Sequence, residues 1–236
     1  MTKSVEVNQP KINRQSEKNL QDSYPTAVLD PTHGGDDAGS IGINSIVESN
    51  INLQVAFKLA RALRMKGVKV FLTRTDDYNV TLERKFKDAE KQNPVIYISI
   101  NCAYSDKRNK KGVEVYGFTP EPAEADGSEI EKTENKFYEF YEGTYVQKSQ
   151  EAEAVEDRVS SSVKKELNLP YRSGLERRFF KFLSLPANIP ALAVFVGYIS
   201  NYNDSRLLSS EKEVDELTER LATAIESGIT KQARLD

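Results

Sequence analysis

Apolar and polar positions change period several times along the chain, and each change marks an element. "TAVLD" (26–30) is a short apolar run that opens into Pro, Thr, His and two Gly, which predicts a strand leading into a loop. From about Asn50 to Lys66, Ile51, Val55, Leu59, Ala62 and Leu63 recur at three- and four-residue steps and predict a helix. Gly67 stands where its C-terminal cap belongs. "VKVFLT" (68–73) predicts the next strand, and "TLERKFKDAEKQ" (81–92) a second helix ended by Asn93-Pro94. "VIYISI" (95–100) is too continuously apolar for a half-exposed strand and belongs at the centre of a sheet. "GVEVYGF" (112–118) alternates as a strand does.

Further on, "SQEAEAVEDRVSSSVKKEL" (149–167) and "EKEVDELTERLATAIESGI" (211–229) predict helices. "FFKFL" (179–183) reads as an edge strand or loop, and "ALAVFV" (191–196) as another central strand. Strand, helix, strand, helix, strand in this rhythm implies parallel pairing and an α/β sandwich. One segment breaks the rhythm. Residues 119–148 read as an insertion, acidic and rich in Phe and Tyr. Within it Ile130, Phe137, Tyr141 and Tyr145 would form one apolar stripe on a helix. The expected organisation is a flexible polar lead-in (1–24) and one domain (25–236) carrying that insertion.

Composition narrows the function classes. The 33 basic and 36 acidic residues nearly balance, so nothing argues for global attraction to nucleic acid or to an anionic membrane. The single cysteine, Cys102, excludes an internal disulfide and cysteine-rich metal sites. No stretch is apolar enough to span a bilayer as a helix. Residues 1–24 lack the apolar core of a secretory signal, which leaves a protein that stays inside or one whose signal has been removed.

Candidate chemistry starts in "DPTHGGDDAGSIG" (30–42), where a strand delivers His33 to a glycine-flanked loop. Alone, the chain's one histidine is most simply a structural hydrogen-bonder. Glu48, at the head of the first long helix, is most simply a charge complementing the helix dipole. The order of blocks says more. "DPTHGGDDAGSIG", "ESNINLQVAFKLARAL", "GVKVFLTRTDDYNVTLERKFKDA", "YISINCA", "GVEVYGF" and "PALAVFVGYISNYND" together resemble the zinc-dependent N-acetylmuramoyl-L-alanine amidases of the cell-wall hydrolase type, from about Thr26 to Ile229.

The resemblance implies an α/β sandwich around a mixed, mainly parallel sheet. It also implies a zinc held by a His in the first block, a Glu heading the first helix and a His ending the central strand. A second Glu, before the final G-[FY]-[IL]-S-N turn, would be the general base. The first two ligand positions fall on His33 and Glu48, the third on Asn101, and the base on Phe195. A carboxamide oxygen ligates zinc far more weakly than imidazole, and no second histidine exists in the chain. Asp36 or Asp37 alone would suit harder cations better.

The expectation is a degenerate amidase: His33 and Glu48 as a vestigial metal pair, no catalytic base and no resident zinc. It would bind peptidoglycan or an envelope protein rather than cut the wall. The alternative is an active amidase with an atypical metal site. The resemblance places the protein in the periplasm or cell envelope. It also assigns Arg84 a role in buttressing the site, and the insertion a role as a partner-binding or self-blocking element, against a helix docked on the domain's own surface. Two basic clusters, 107–111 in a loop near the cleft and Arg172, Arg177, Arg178 with Lys181, could bind an acidic partner or wall polymer but read more simply as surface charge.

Overall fold

The computed structural model describes residues 24–118, 148–169, 175–178, 180, 183–186 and 188–230. In chain order the elements are β1 (Thr26–Pro31), α1 (Glu48–Met65), β2 (Lys69–Leu72), α2 (Leu82–Gln92), β3 (Ile96–Ala103), β4 (Glu114–Phe118), α3 (Gln150–Glu166), β5 (Glu176–Arg178), β6 (Ala191–Tyr198), α4 (Tyr202–Ser209) and α5 (Glu211–Thr230). The strands form one sheet in the order β2-β1-β3-β6-β4-β5. β2, β1, β3 and β6 run parallel, β4 runs antiparallel to β6, and β5 pairs parallel with β4. The fold is therefore an α/β sandwich around a mixed, mainly parallel sheet.

Strand alternation sorts side chains onto two faces. Ile96, Ile98, Ile100 and Cys102 of β3 point to one face, with Ala27 and Leu29 of β1 and Leu192, Val194 and Val196 of β6. α1, α3 and α5 cover it, through side chains such as Val55, Leu59, Val159, Val163, Leu221 and Ile225. The opposite face carries Val28, Tyr97, Ala191, Ala193 and Phe195. Its cover is thinner: Phe86 and Ala89 of α2, with Leu183, Leu185 and Ile189 from the chain leading into β6. Apolar residues on both faces explain why β3 and β6 are nearly unbroken apolar runs, as expected of central strands.

A buried ion pair ties β1 to the thin side. Asp30 accepts hydrogen bonds from Tyr97 Oη (2.7 Å) and Thr73 Oγ1 (2.5 Å) and pairs with Lys85 Nζ (2.8 Å). This fixes the end of the strand that carries His33. β1, β3 and β6 all end at one edge of the sheet, so His33, Asn101 and Phe195 share it. β4 runs the other way, with Glu114 opposite Phe195 and Gly117 opposite Leu192. Phe118 therefore leaves the sheet at the edge opposite His33. Lys148 lies at that far edge too, its ammonium donating to the carbonyls of Leu185 (3.1 Å), Pro186 (3.2 Å) and Ile189 (2.8 Å) just before β6 begins. The expected lead-in (1–24) and helical insertion (119–148) lie outside the described residues, except for Tyr24 and Lys148 at their ends.

Candidate functional site

β1 ends in a loop held in unusual backbone geometry. His33 has φ 63°, a left-handed conformation uncommon for a non-glycine residue. Arg74 supports the loop from below: it is 1% exposed and donates to the carbonyls of Pro31 (2.9 Å), Thr32 (3.3 Å), Ser49 (2.8 Å) and Asp76 (3.0 Å). Gly39 crosses directly over the site with φ +66°. A Cβ there would lie 2.8 Å from the His33 ring and 2.9 Å from the Glu48 carboxylate. The backbone must be bare at this point for the two side chains to approach each other.

They do approach. His33 Nε2 lies 3.7 Å from Glu48 Oε1, and His33 Nδ1 lies 2.8 Å from Asp37 Oδ2. A carboxylate behind the far ring nitrogen is the arrangement that orients metal-binding histidines. Burial tends to raise the Asp37 carboxyl, but hydrogen bonds from His33 and the Gly39 N–H outweigh it and hold it below the usual carboxylate value. Glu48 opens α1, yet its side chain does more than complement the helix dipole. Oε2 accepts from Ser40 N (2.9 Å) and Oε1 from Cys102 N (2.9 Å), which staples the His33 loop to the end of β3. Cys102 is no nucleophile here: burial, and then the Glu48 charge, push its thiol well above the ordinary value.

Asn101 and Phe195 lie directly opposite each other in the β3–β6 ladder. The two positions assigned to the third ligand and the base are thus neighbours, next to the His33–Glu48 pair. Their chemistry is different. Asn101 is 4% exposed and satisfied at both ends of its carboxamide: Oδ1 accepts from Thr32 Oγ1 (2.9 Å) and Nδ2 donates to Ser99 Oγ (3.1 Å). The Thr32 hydroxyl also lies 3.0 Å from the Ile100 carbonyl and accepts from Asn52 Nδ2 (2.9 Å). Phe195 packs edge-on against Tyr116 (ring centroids 5.7 Å apart, 83° between planes) and at a tilt against Phe180 (5.8 Å, 44°). Tyr116 and Phe180 close the triangle at 5.8 Å, with the Arg178 guanidinium 4.3 Å from the Tyr116 ring centre. Glu114, across the ladder from Phe195, accepts from Tyr198 Oη (2.7 Å) and Tyr116 Oη (2.9 Å). Burial, helped by that carboxylate, pushes both phenols up.

An open catalytic zinc site needs three protein ligands and a free position. The chain offers one imidazole and one carboxylate at metal-sharing distance, and a carboxamide whose oxygen is already engaged by Thr32. That donor set does not fit the zinc that the resemblance implies, and among the described residues no cluster of three His, Cys, Asp or Glu side chains is placed to hold a metal ion. One expectation needs correcting. Arg84 does not buttress the site: its side chain is 68% exposed and pairs with Asp88 on α2, and the buttressing arginine is Arg74. Of the second basic cluster, Arg177 pairs with Glu156 and Asp157, and the half-exposed Arg178 with Glu176. Sequence reasoning also missed Thr32 and Asn52. Their signal, two small polar residues flanking His33 and Glu48, has meaning only once the partners are known.

Known proteins share this fold. A family model described as N-acetylmuramoyl-L-alanine amidase matches residues 27–227. AmiC, an N-acetylmuramoyl-L-alanine amidase of Escherichia coli O6:H1, is 24% identical over 225 residues, covering 88% of this chain and 54% of AmiC. The chain thus spans about half the length of that relative. YqiI of Bacillus subtilis is 27% identical over 204 residues, covering 86% of this chain and 82% of YqiI. Among solved structures, an N-acetylmuramoyl-L-alanine amidase of Clostridium difficile 630 matches with a TM-score of 0.65 at 21% identity, over 89% of this chain and 97% of that one. The CwlD amidase of Clostridioides difficile, solved in complex with the GerS lipoprotein, matches with a TM-score of 0.60 at 22% identity, over 90% and 100%. The structural likenesses show a shared fold, and the family model, matched over most of the chain, shows more: this chain belongs to the N-acetylmuramoyl-L-alanine amidase family.

Proposed function

We propose that this chain is a catalytically inactive amidase of the bacterial cell envelope, a pseudoenzyme that binds peptidoglycan or an envelope protein without cutting the wall. One observation carries the reading. At the edge where His33 and Glu48 meet, the neighbouring ladder positions hold a carboxamide satisfied by Thr32 and Ser99 and a phenyl ring packed into an aromatic triangle. Neither completes a zinc site nor moves a proton. General acid–base catalysis is typically worth about 10²–10⁴ in rate, and its loss adds to the loss of the metal ligand.

Two modes of binding fit the fold. The family name points to peptidoglycan. The CwlD amidase in complex with a lipoprotein supports the second mode, because it shows a related fold holding a protein partner. No helix among the described residues is long and apolar enough to cross a membrane.

The second reading, an active amidase with an atypical metal site, has one observation in its favour. The His33–Glu48 pair keeps a metal-sharing separation, with Asp37 behind the imidazole. One experiment separates the readings. The protein is purified without chelators, its zinc is measured, and it is incubated with peptidoglycan with and without added zinc. The proposed function predicts substoichiometric zinc and no stem-peptide release. Release that disappears in His33→Ala would show an active enzyme. Sedimentation with insoluble peptidoglycan, set beside pull-down from envelope extract, then distinguishes the two binding modes.

A further inference from the structure

The buried polar knot around Asn101 has a consequence for how the third-ligand position is closed. Thr32, Asn52, Ser99 and Asn101 are 6%, 0%, 0% and 4% exposed. The Thr32 hydroxyl sits at their centre, 2.9 Å from Asn101 Oδ1, 3.0 Å from the Ile100 carbonyl and 2.9 Å from Asn52 Nδ2. Asn52 comes from α1, one turn after Glu48, and its Oδ1 also accepts the Cys102 thiol (3.4 Å). These bonds join β1, β3 and α1 at the point where a third ligand would have to face His33 and Glu48. Every hydrogen bond of the Asn101 carboxamide runs to Thr32 or back along its own strand to Ser99.

We infer that Thr32 is the positioning residue that keeps position 101 closed to metal, so that restoring a histidine there does not restore the site while Thr32 remains. The closure is local, and its assignment rests on the proposed loss of zinc. A side chain at 101 leaves β3 in a direction set by the strand, and the first group it meets is the Thr32 hydroxyl, itself held by Ile100 and Asn52. The Thr32 side chain, its hydroxyl 2.9 Å from Asn101 Oδ1, stands where the longer imidazole of a histidine at 101 would have to extend, and so turns the ring away from His33 and Glu48. Removing the hydroxyl and methyl together frees that direction. His33 and Glu48, 3.7 Å apart and independently held by Asp37, Ser40 and Cys102, are left in place to receive the third donor.

The test compares the full chain with Asn101→His, Thr32→Ala and the double variant. Zinc affinity is measured by calorimetry, and cobalt(II) absorption reports ligand geometry. Asn101→His alone is expected to stay near the unsubstituted chain. The double variant is expected to bind zinc at least about tenfold more tightly than Asn101→His, because only there does a third protein ligand reach the metal. Its cobalt complex should show the intense visible bands of a tetrahedral site. Thr32→Ser with Asn101→His keeps the hydroxyl and should behave like the single variant, and it keeps the question open to test if the alanine variant folds poorly. Equal affinities in the single and double variants would overturn the inference, as would a double variant no tighter than the unsubstituted chain. Tight zinc in the unsubstituted chain would instead overturn the proposed function on which the inference rests.

Discussion

Arg74 shows how much one residue contributes at this site. Its guanidinium is buried, pairs with no carboxylate among the described residues and is neutralised by four carbonyl dipoles, from Pro31, Thr32, Ser49 and Asp76. Two of these belong to the His33 loop and one to the first turn of α1. Hydrogen bonds from a charged donor contribute about 1.5–3 kcal/mol each. Arg74→Met should therefore destabilise the fold by more than about 3 kcal/mol in urea unfolding, since several bonds go and buried carbonyls are left unpaired. Arg74→Lys should recover only part of that, because an ammonium cannot present donors in the planar fork that these carbonyls match. Arg74→Lys as stable as the unsubstituted chain would mean the fork is unimportant. From sequence, Arg74 was only the residue after a strand and Arg84 drew the attention. Spacing along the chain cannot tell a buried arginine from an exposed one when the acceptors lie up to 43 residues away.

Among elements, those with a clean period were legible. The three- and four-residue steps of α1, the alternation of β4 and the apolar runs of β3 and β6 all appear where the pattern placed them, within a few residues. α4 was missed because only Ser205 and Leu208 of its residues are buried, too few to make a stripe. Its signal was the cap: the Asn201 side chain accepts from Asn203 N and Asp204 N. β5 was expected a few residues later, and its three residues are Glu, Arg and Arg, held by pairing with β4 and not by any apolar pattern.

That His33, Asn101 and Phe195 share one sheet edge was legible, because adjacency in a parallel sheet follows from block order. The packing around Phe195 was not, since Phe180 and Tyr116 meet it only across strands and a loop. Phe195→Glu tests that packing. It removes one ring from the triangle and sets a second carboxylate directly across from Glu114, where like charges repel. The expected loss is about 2–3 kcal/mol with no gain of hydrolysis. Unchanged stability would show that the rings are not packed as described.

At the scale of the whole molecule, the two edges of the sheet do different things. The His33 edge holds the candidate site, while the far edge holds Lys148, which is 5% exposed and whose ammonium lies 5.7 Å from the Phe118 ring centre. Burial pushes it down to about 8; the charge of Glu156 opposes the shift and that of Arg177 adds to it. An unfolded lysine titrates near 10.4. Between about pH 8 and 10.4 the unfolded chain therefore binds more protons than the folded one, and this group's contribution to stability rises with pH. Comparing the unsubstituted chain with Lys148→Met from pH 7 to 10, the difference should move in favour of the unsubstituted chain by up to about 2–3 kcal/mol. A pH-independent difference would place the lysine in water. The same corner also bears on how this protein can change. Phe118 and Lys148 are the two roots of the sequence between them, they stand side by side, and both are anchored to the sheet without help from the His33 edge. Both roots of residues 119–147 therefore stand at the edge of the sheet away from His33, and a variant of that passage can be judged by whether Phe118 and Lys148 keep their places.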